Sequence, residues 1–378
     1  MEHFSNLTVN TSILKDMIHP STEQTLYIKN KLVNFYKHYD VYNIYGDKQI
    51  NYVCELATNY ALWTLPVDLR NDNTVVEAYG YWLSIIWIID SSFDTAGSKN
   101  LRTEKDILVN IIEKAINDEP VNLDNFVVDK NKSRHDQLMS SLPKVLYMTF
   151  TKYILLISTY KTMNNYAFDM TNKWLFKYFD NLVGDNDDKN IQYSKIECDL
   201  DDYYEWRLAD SAMMCVCWHL VLFMNIPCEK LTDSHTKLFE ISSILVAYHN
   251  DILSYHRDIS QDTKNLVRCI MYNCSTPMYR EKGNESIKAG VITSIKYIDG
   301  IYGKLSNLYK ELIDQYPSNA KFMHDICISV VKGSHNWANN EKRYEKGIRM
   351  IKSIEDNNDF DFYGLFDNLN VVSGDPTL

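Results

Sequence analysis

An all-α fold is what this sequence predicts, and three observations predict it. Glycine and proline, which interrupt helices, number only 12 and 8 in 378 residues. The strict apolar–polar alternation of half-buried strands is scarce. The segments between the long candidate helices are clusters of turn-forming or charged residues, for example GDNDDKN at 184–190 and CSTPMYREKGNES at 274–286. Taken in order, helices are expected over 23–38, 49–62, 73–93, 104–115, 133–158, 163–182, 201–225, 231–258, 262–273, 284–315 and 318–352. The third of these carries YWLSIIWII (81–89), and the seventh runs through SAMMCVCWHLVLFMNI (211–226). Both runs fall short of the ~20 residues a membrane span needs, so each reads as a helix buried on nearly all sides. No repeat of 20 to 50 residues is visible. Residues 1–22 read as an N-terminal extension, 23–353 as the helical domain, and 354–378 as an acidic, mobile tail whose FDFYGLF patch docks on the body.

Composition narrows the function. Hydrophobic residues make up 45% and charged residues 24%, as in ordinary globular proteins. A net charge of −11 argues against nucleic acid as a partner, because that binding leans on clustered Lys and Arg. The eight cysteines include no CxxC pair, so neither a zinc knuckle nor a disulfide framework is indicated. A reducing, cytoplasmic compartment is expected. The first twenty residues lack the basic start, apolar run and small-residue cleavage site of a signal peptide.

Two acidic constellations stand 160 residues apart: Asp90-Ser-Ser-Phe-Asp94 and Asn250-Asp251-Ile-Leu-Ser254-Tyr-His-Arg-Asp258. At about 100° per residue, helical positions four apart sit one turn above another. Asn250, Ser254 and Asp258 therefore share one face, as do Asp90 and Asp94. All five offer oxygen, the ligand type that hard divalent cations such as magnesium select. Each constellation also follows an apolar run, YWLSIIWII or ISSILVAYH (241–249), so a carboxylate emerging there needs a metal or a cationic partner unless it meets water.

The second run resembles the Asn-Ser-Glu signature of class I terpene synthases of the microbial type, and the first resembles their aspartate-rich motif. Between them, Arg207, Asp210 and Ser211 in YYEWRLADS resemble the family's diphosphate-sensing arginine with its linker and effector residues. After them, Trp337 and the pair Arg343-Tyr344 in NWANNEKRY resemble its C-terminal aromatic residue and Arg-Tyr pair, and QDTKNLV (261–267) resembles the continuation of the second motif. In order, the motifs cover roughly residues 60 to 350. The resemblance implies a single-domain class I terpenoid synthase α-helical bundle with a central active-site cavity. It implies three Mg2+ ions, with Mn2+ as a substitute, held by Asp90, with Asp94 in a lesser role, and by Asn250, Ser254 and Asp258. It assigns the substrate diphosphate to Arg207, Arg257, Arg343 and Tyr344, the effector role to the backbone carbonyl of Ser211, and carbocation stabilisation to Trp337. The sequence departs from the pattern at several positions: Ser211 stands where glycine is common, and Arg257 where relatives often carry lysine. Ser91 replaces the usual second aspartate, and Asp258 is one methylene shorter than the usual glutamate.

Plainer readings stand beside these. Asp90 and Asp94 fit a solvated helix end, the 250–258 stripe a polar helix face, and Arg207 a surface pairing with the acidic run at 199–202. Arg343 and Tyr344 fit a wet helical face, and Trp337 a core position. His249 and His256, seven apart on one face, lack the third ligand zinc needs. The run from Gly184 has Lys189 and Asn190 where a calcium loop requires an oxygen ligand and glycine. Gly300-Ile-Tyr-Gly303-Lys304 has the wrong spacing for a phosphate loop.

The reaction implied is ionisation of an isoprenyl diphosphate, with farnesyl diphosphate as the substrate, to a sesquiterpene and diphosphate. A chain-elongating isoprenyl diphosphate synthase, a non-catalytic helical binding protein and an inactive synthase are the alternatives. The expected partner is the small diphosphate itself, with no membrane span and a monomer or homodimer as the assembly.

Overall fold

The computed structural model describes residues 20–94, 101–184, 199–260, 263–273 and 284–355. Among them every regular element is helical. The first helices are α1 (Thr22–Tyr36), α2 (Asp40–Tyr45), α3 (Asp47–Thr64), α4 (Val67–Arg70), α5 (Asn73–Asp94), α6 (Leu101–Ile116), α7 (Arg134–Met163) and α8 (Asn165–Gly184). They are followed by α9 (Leu200–Asp210), α10 (Met213–Phe223), α11 (Asp233–Ser260), α12 (Leu266–Asn273), α13 (Asn284–Gln315), α14 (Ala320–Asn340) and α15 (Glu345–Glu355). No helix among the described residues is long and apolar enough to cross a membrane. The calcium-loop-like run beyond Gly184, the expected N-terminal extension before Pro20 and the acidic tail beyond Glu355 lie outside the described residues.

Local chemistry sets several boundaries. Ser21 caps α1 by accepting from the Gln24 amide, and Ser133 caps α7 by accepting from the Asp136 amide. Two expected helices are each divided. The stretch expected over 201–225 breaks between α9 and α10 at Ala212, whose φ is +54°. A left-handed alanine costs about 1–2 kcal/mol, and no Gly or Pro announced it. The stretch expected over 318–352 breaks after Asn340, turns through a 3-10 segment at Lys342–Tyr344 and resumes as α15.

The helices form two compact units. In the described residues of Ile18–Lys189 and Trp218–Lys230, α5 is sheathed by α1, α3 and α7. The run 81–89 is buried throughout except at Trp87, as its unbroken apolar character requires. An aromatic knot forms there. The His219 ring lies 4.5 Å from Trp82 and 5.3 Å from Tyr79, and its Nε2 is 2.8 Å from the Tyr153 hydroxyl.

In the described residues of Asn190–Cys217 and Leu231–Leu378, α11 is the hub, packed on α9, α12, α13, α14 and α15. The closest approach is at Gly347. A Cβ there would sit 2.1 Å from the Leu253 carbonyl oxygen, so only glycine lets α15 lie directly on α11. Cys54, Cys215, Cys217, Cys228 and Cys327 are free thiols. Cys269 is disulfide-bonded, a pairing the cysteine spacing did not suggest.

Candidate active site

The acidic stripe on α11 is built as the spacing predicts, and its side chains are engaged with one another. Ser254 and Asp258 are buried, and Asn250 is half-buried. The Ser254 hydroxyl donates to Asp258 Oδ2 at 2.6 Å, which leaves the Ser254 oxygen lone pairs to accept a further partner. Asp258 Oδ1 accepts from Arg257 Nε at 3.3 Å and Nη2 at 3.2 Å. The stripe is therefore no solvated face.

Arg207 projects from the last turn of α9 toward the same stripe. Its Nη2 donates to Asn250 Oδ1 at 3.2 Å and pairs with Asp251 Oδ1 at 2.8 Å, while Nη1 donates to Asp210 Oδ2 at 2.5 Å. Burial alone would pull the guanidinium pKa down, yet Asp251 and Asp210 hold it well above its ordinary value. The surface pairing with the 199–202 run gives way to this arrangement, and the Asp199 carboxylate caps α9 by accepting from the amides of Asp201 and Asp202. Arg207 Nε is buried and has no hydrogen-bond partner among the described residues. Ser211 and Ala212 form the break that follows directly, with the Met213 amide donating to Ser211 Oγ at 3.3 Å.

Tyr344 corrects the expectation of a wet helical segment. It lies in the 3-10 turn and is 1% exposed, and its hydroxyl accepts from Asn250 Nδ2 at 2.6 Å. The turn replaces a continuous helix because α15 must descend onto Leu253 through Gly347, which swings Tyr344 inward. The Arg343 guanidinium stacks 4.9 Å from the Tyr344 ring, and Trp337 meets that ring edge-on at 5.7 Å and 74°. Asn250, Arg207, Tyr344, Arg343 and Trp337 thus form one chain of contacts within this unit.

Asp90 lies in the other unit, at the end of α5. It is half-buried, and Tyr178 on α8 donates its hydroxyl to Asp90 Oδ1 at 2.9 Å. A phenol thus meets the carboxylate that follows the apolar run. The Ser91 hydroxyl turns back to the Trp87 carbonyl at 2.7 Å, so the residue standing for the usual second aspartate brings no charge and is spent on its own helix. Asp94 closes α5, and its side chain lies outside the described set.

The donor set suits a hard cation. Asn250, Ser254 and Asp258 present amide, hydroxyl and carboxylate oxygen on one face, and no three His, Cys, Asp or Glu side chains gather as a metal cluster among the described residues. His249, paired on sequence grounds with His256, instead stacks on His335 of α14 at 3.6 Å and 12°. Burial, aided by His335, holds the His249 pKa well below its ordinary value. Gly300 and Gly303 sit within α13.

With this geometry in place, the family model described as terpene synthase family 2, C-terminal metal binding, matches residues 81–288, a span that includes both acidic constellations and Arg207. The chain belongs to the terpene synthase family. Its fold is that of class I terpene synthases. The structure of 2-methylisoborneol synthase from Streptomyces coelicolor A3(2), in complex with Mg2+ and 2-fluoroneryl diphosphate, aligns with a TM-score of 0.64 at 10% identity, covering 87% of this chain and 95% of that one. An a-eudesmol synthase aligns at 0.60 and 9% identity, covering 86% and 98%. A point mutant of the SVS_A2 protein from ancestral sequence reconstruction aligns at 0.57 and 14%, covering 85% and 84%. A search of curated protein sequences returned no match.

Three residues of this terpene synthase family member escaped sequence reasoning: Asp251, Tyr203 and Asn265. Asp251 is the buried junction of the network. Besides Arg207 it receives the Tyr203 hydroxyl and the Leu266 amide, the latter at 3.3 Å, both on Oδ2. Burial pushes its carboxyl up to about 6, with Arg207 and Tyr203 pulling the other way. The Asn265 amide bridges the Asp251 backbone and the Asp258 carboxylate. Asp251 lay inside the quoted motif, Asn265 inside its continuation and Tyr203 beside Arg207. Their partners are set by tertiary packing, so spacing alone carried no signal for any of them.

Proposed function

We propose that this protein ionises an isoprenyl diphosphate, with farnesyl diphosphate as its substrate, and converts the allylic cation to a sesquiterpene with release of diphosphate. The observation that carries this reading is Arg207. A half-buried guanidinium is held to Asn250 of the oxygen stripe and to two carboxylates, with its Nε left as an unpartnered buried donor among the described residues. Such a donor is costly without a ligand, and a diphosphate oxygen satisfies it by a charge-assisted bond. That a solved protein of this fold binds Mg2+ with 2-fluoroneryl diphosphate supports the same reading.

In this proposal Mg2+ is held by Asn250, Ser254 and Asp258 and by Asp90, with Asp94 in a subordinate role. Three ions are proposed, with Mn2+ able to substitute. When bound, the metal supplies positive charge against the diphosphate as it leaves. The chain contributes the rest. Arg207, Arg257, Arg343 and the Tyr344 hydroxyl bind the diphosphate oxygens and stabilise the charge that develops on them. Asp210 fixes Arg207 in orientation, and Ser211, at the α9–α10 break, presents its carbonyl to the forming cation. Trp337, braced edge-on against Tyr344, offers a π face to positive charge. The released diphosphate accepts the final proton.

The test is incubation of the purified protein with geranyl, farnesyl and geranylgeranyl diphosphates, in Mg2+ or in EDTA, followed by gas chromatography and mass spectrometry of the extractable products. Sesquiterpenes from farnesyl diphosphate that vanish with EDTA are expected. Products from only a shorter or longer diphosphate would replace the substrate. Longer diphosphates formed only on addition of isopentenyl diphosphate would replace the reaction with chain elongation.

A further inference from the structure

Asn265 is buried, 1% exposed, at the start of α12, and both ends of its amide are engaged. Its Oδ1 accepts from the Val267 amide at 2.9 Å, which caps α12. Its Nδ2 donates to the Asp251 carbonyl at 2.7 Å and to Asp258 Oδ2 at 2.8 Å. One side chain thus ties the first turn of a separate helix to two points of α11 that are two turns apart. The backbone makes a parallel tie one residue on, where the Leu266 amide donates to Asp251 Oδ2.

The consequence falls on Asp258. A carboxylate on a single methylene stem has little reach and two rotamer-dependent faces. Here Oδ2 receives two donors from groups fixed in the fold, the Ser254 hydroxyl and the Asn265 amide, while among the described residues both donors on Oδ1, Nε and Nη2, belong to the one half-buried side chain of Arg257. A carboxylate oxygen has about two lone-pair sites, so both oxygens are engaged, and Oδ1 is the one released to serve a cation when Arg257 turns to the diphosphate, the role proposed for it above. We infer that Asn265 is a positioning residue for the metal site: it holds Asp258 in the one rotamer that keeps Oδ2 on the Ser254 hydroxyl and the Asn265 amide, so that the Ser254 proton stays on Asp258 with its oxygen lone pairs open and Oδ1 is the oxygen offered to a cation. The inference rests on the proposed metal-dependent reading of this stripe. It also explains how Asp serves where Glu is usual, since a short carboxylate that is clamped loses little entropy on binding.

Hydrogen-bonding partners of ligating carboxylates typically govern about 10–100-fold in metal affinity, and that range is the effect expected here. The experiment uses the full chain and two probes, Mg2+ and inorganic pyrophosphate. Mg2+-dependent pyrophosphate binding is measured by titration calorimetry on the wild type, Asn265→Ala and Asn265→Ser, alongside Asp258→Ala and thermal melts of each protein. Positioning predicts that the Mg2+ concentration for half-maximal pyrophosphate binding rises about 10-fold or more in Asn265→Ala. Partial recovery is expected in Asn265→Ser, whose hydroxyl retains a donor and a cap. In turnover, the Mg2+ requirement rises while the rate at saturating Mg2+ is largely restored. A lowered melting temperature with an unchanged Mg2+ requirement in both Asn265 variants overturns the inference and leaves a plain helix cap. Should Asn265→Ala not fold, Asn265→Ser decides on the same readout. If the wild type shows no Mg2+-dependent pyrophosphate binding, or Asp258→Ala binds as the wild type does, the metal-site reading itself falls and this inference with it.

Discussion

Replacing Asp251 by asparagine tests the central polar junction directly. The Asp251 side chain is 2% exposed and that of Arg207 14% exposed. Three donors converge on the carboxylate: Arg207 Nη2 on one oxygen, the Tyr203 hydroxyl and Leu266 amide on the other. Asparagine keeps the shape but only one acceptor oxygen, so its NH2 must oppose either Arg207 or Tyr203. Removing one partner of a buried pair costs about 3–5 kcal/mol, because the remaining charge is left uncompensated. Asp210 still holds Arg207 Nη1 at 2.5 Å, which places the expectation near the lower end of that range. With an unfolding entropy of roughly 2.1 cal/mol/K per residue, the 378-residue chain loses about 4–6 °C in Tm for about 3–5 kcal/mol if it melts as one transition. The assay is thermal and urea denaturation followed by circular dichroism on Asp251→Asn, Arg207→Met and the double variant. The double variant is expected to be less destabilised than the two single variants summed, by at least about 1 kcal/mol. A melt of Asp251→Asn within about 1 °C of wild type, together with simple additivity, would refute the assignment of Asp251 as the junction.

Other outcomes follow from the same geometry. Asp90→Ala and Asn250→Ala are each expected to abolish turnover while leaving the helical circular-dichroism spectrum near normal. Full activity in either removes that residue from the metal ligands. Trp337→Ala is expected to alter the product mixture more than the rate of diphosphate release, and an unchanged mixture returns Trp337 to the core. His335 is 5% exposed, and burial lowers its pKa to about 3, below the unfolded value of about 6.5. The unfolded chain therefore takes up a proton that the folded one refuses. Stability is retained above about pH 6.5 and declines below it, by up to about 1.4 kcal/mol per pH unit for this group. His335→Phe, which keeps a ring against His249, is expected to flatten the decline between about pH 6.5 and 5, and parallel urea-stability profiles for the two proteins would contradict this.

What the sequence determined by itself was helical register. The face shared by Asn250, Ser254 and Asp258 follows from a period of about 3.6 residues, and the burial of the run before Asp90 from its unbroken apolar character; both are local and written in the chain. The starts and stops of most helices were legible for the same reason, through caps and turn clusters. The breaks at Ala212 and at Glu341 were not. Neither is marked by Gly or Pro, and each exists because distant contacts outweigh local propensity: Arg207 bound to Asp251, and α15 lying on Leu253 through Gly347. The tertiary structure also chose the partners. Tyr178 meets Asp90, Tyr344 turns from an exposed helical face into a buried acceptor for Asn250, His249 finds His335 instead of His256, and Asn265 reaches back to Asp258. A hydrogen bond between residues tens of positions apart depends on where two helices pack, and helix packing is decided by whole buried faces that no short motif encodes.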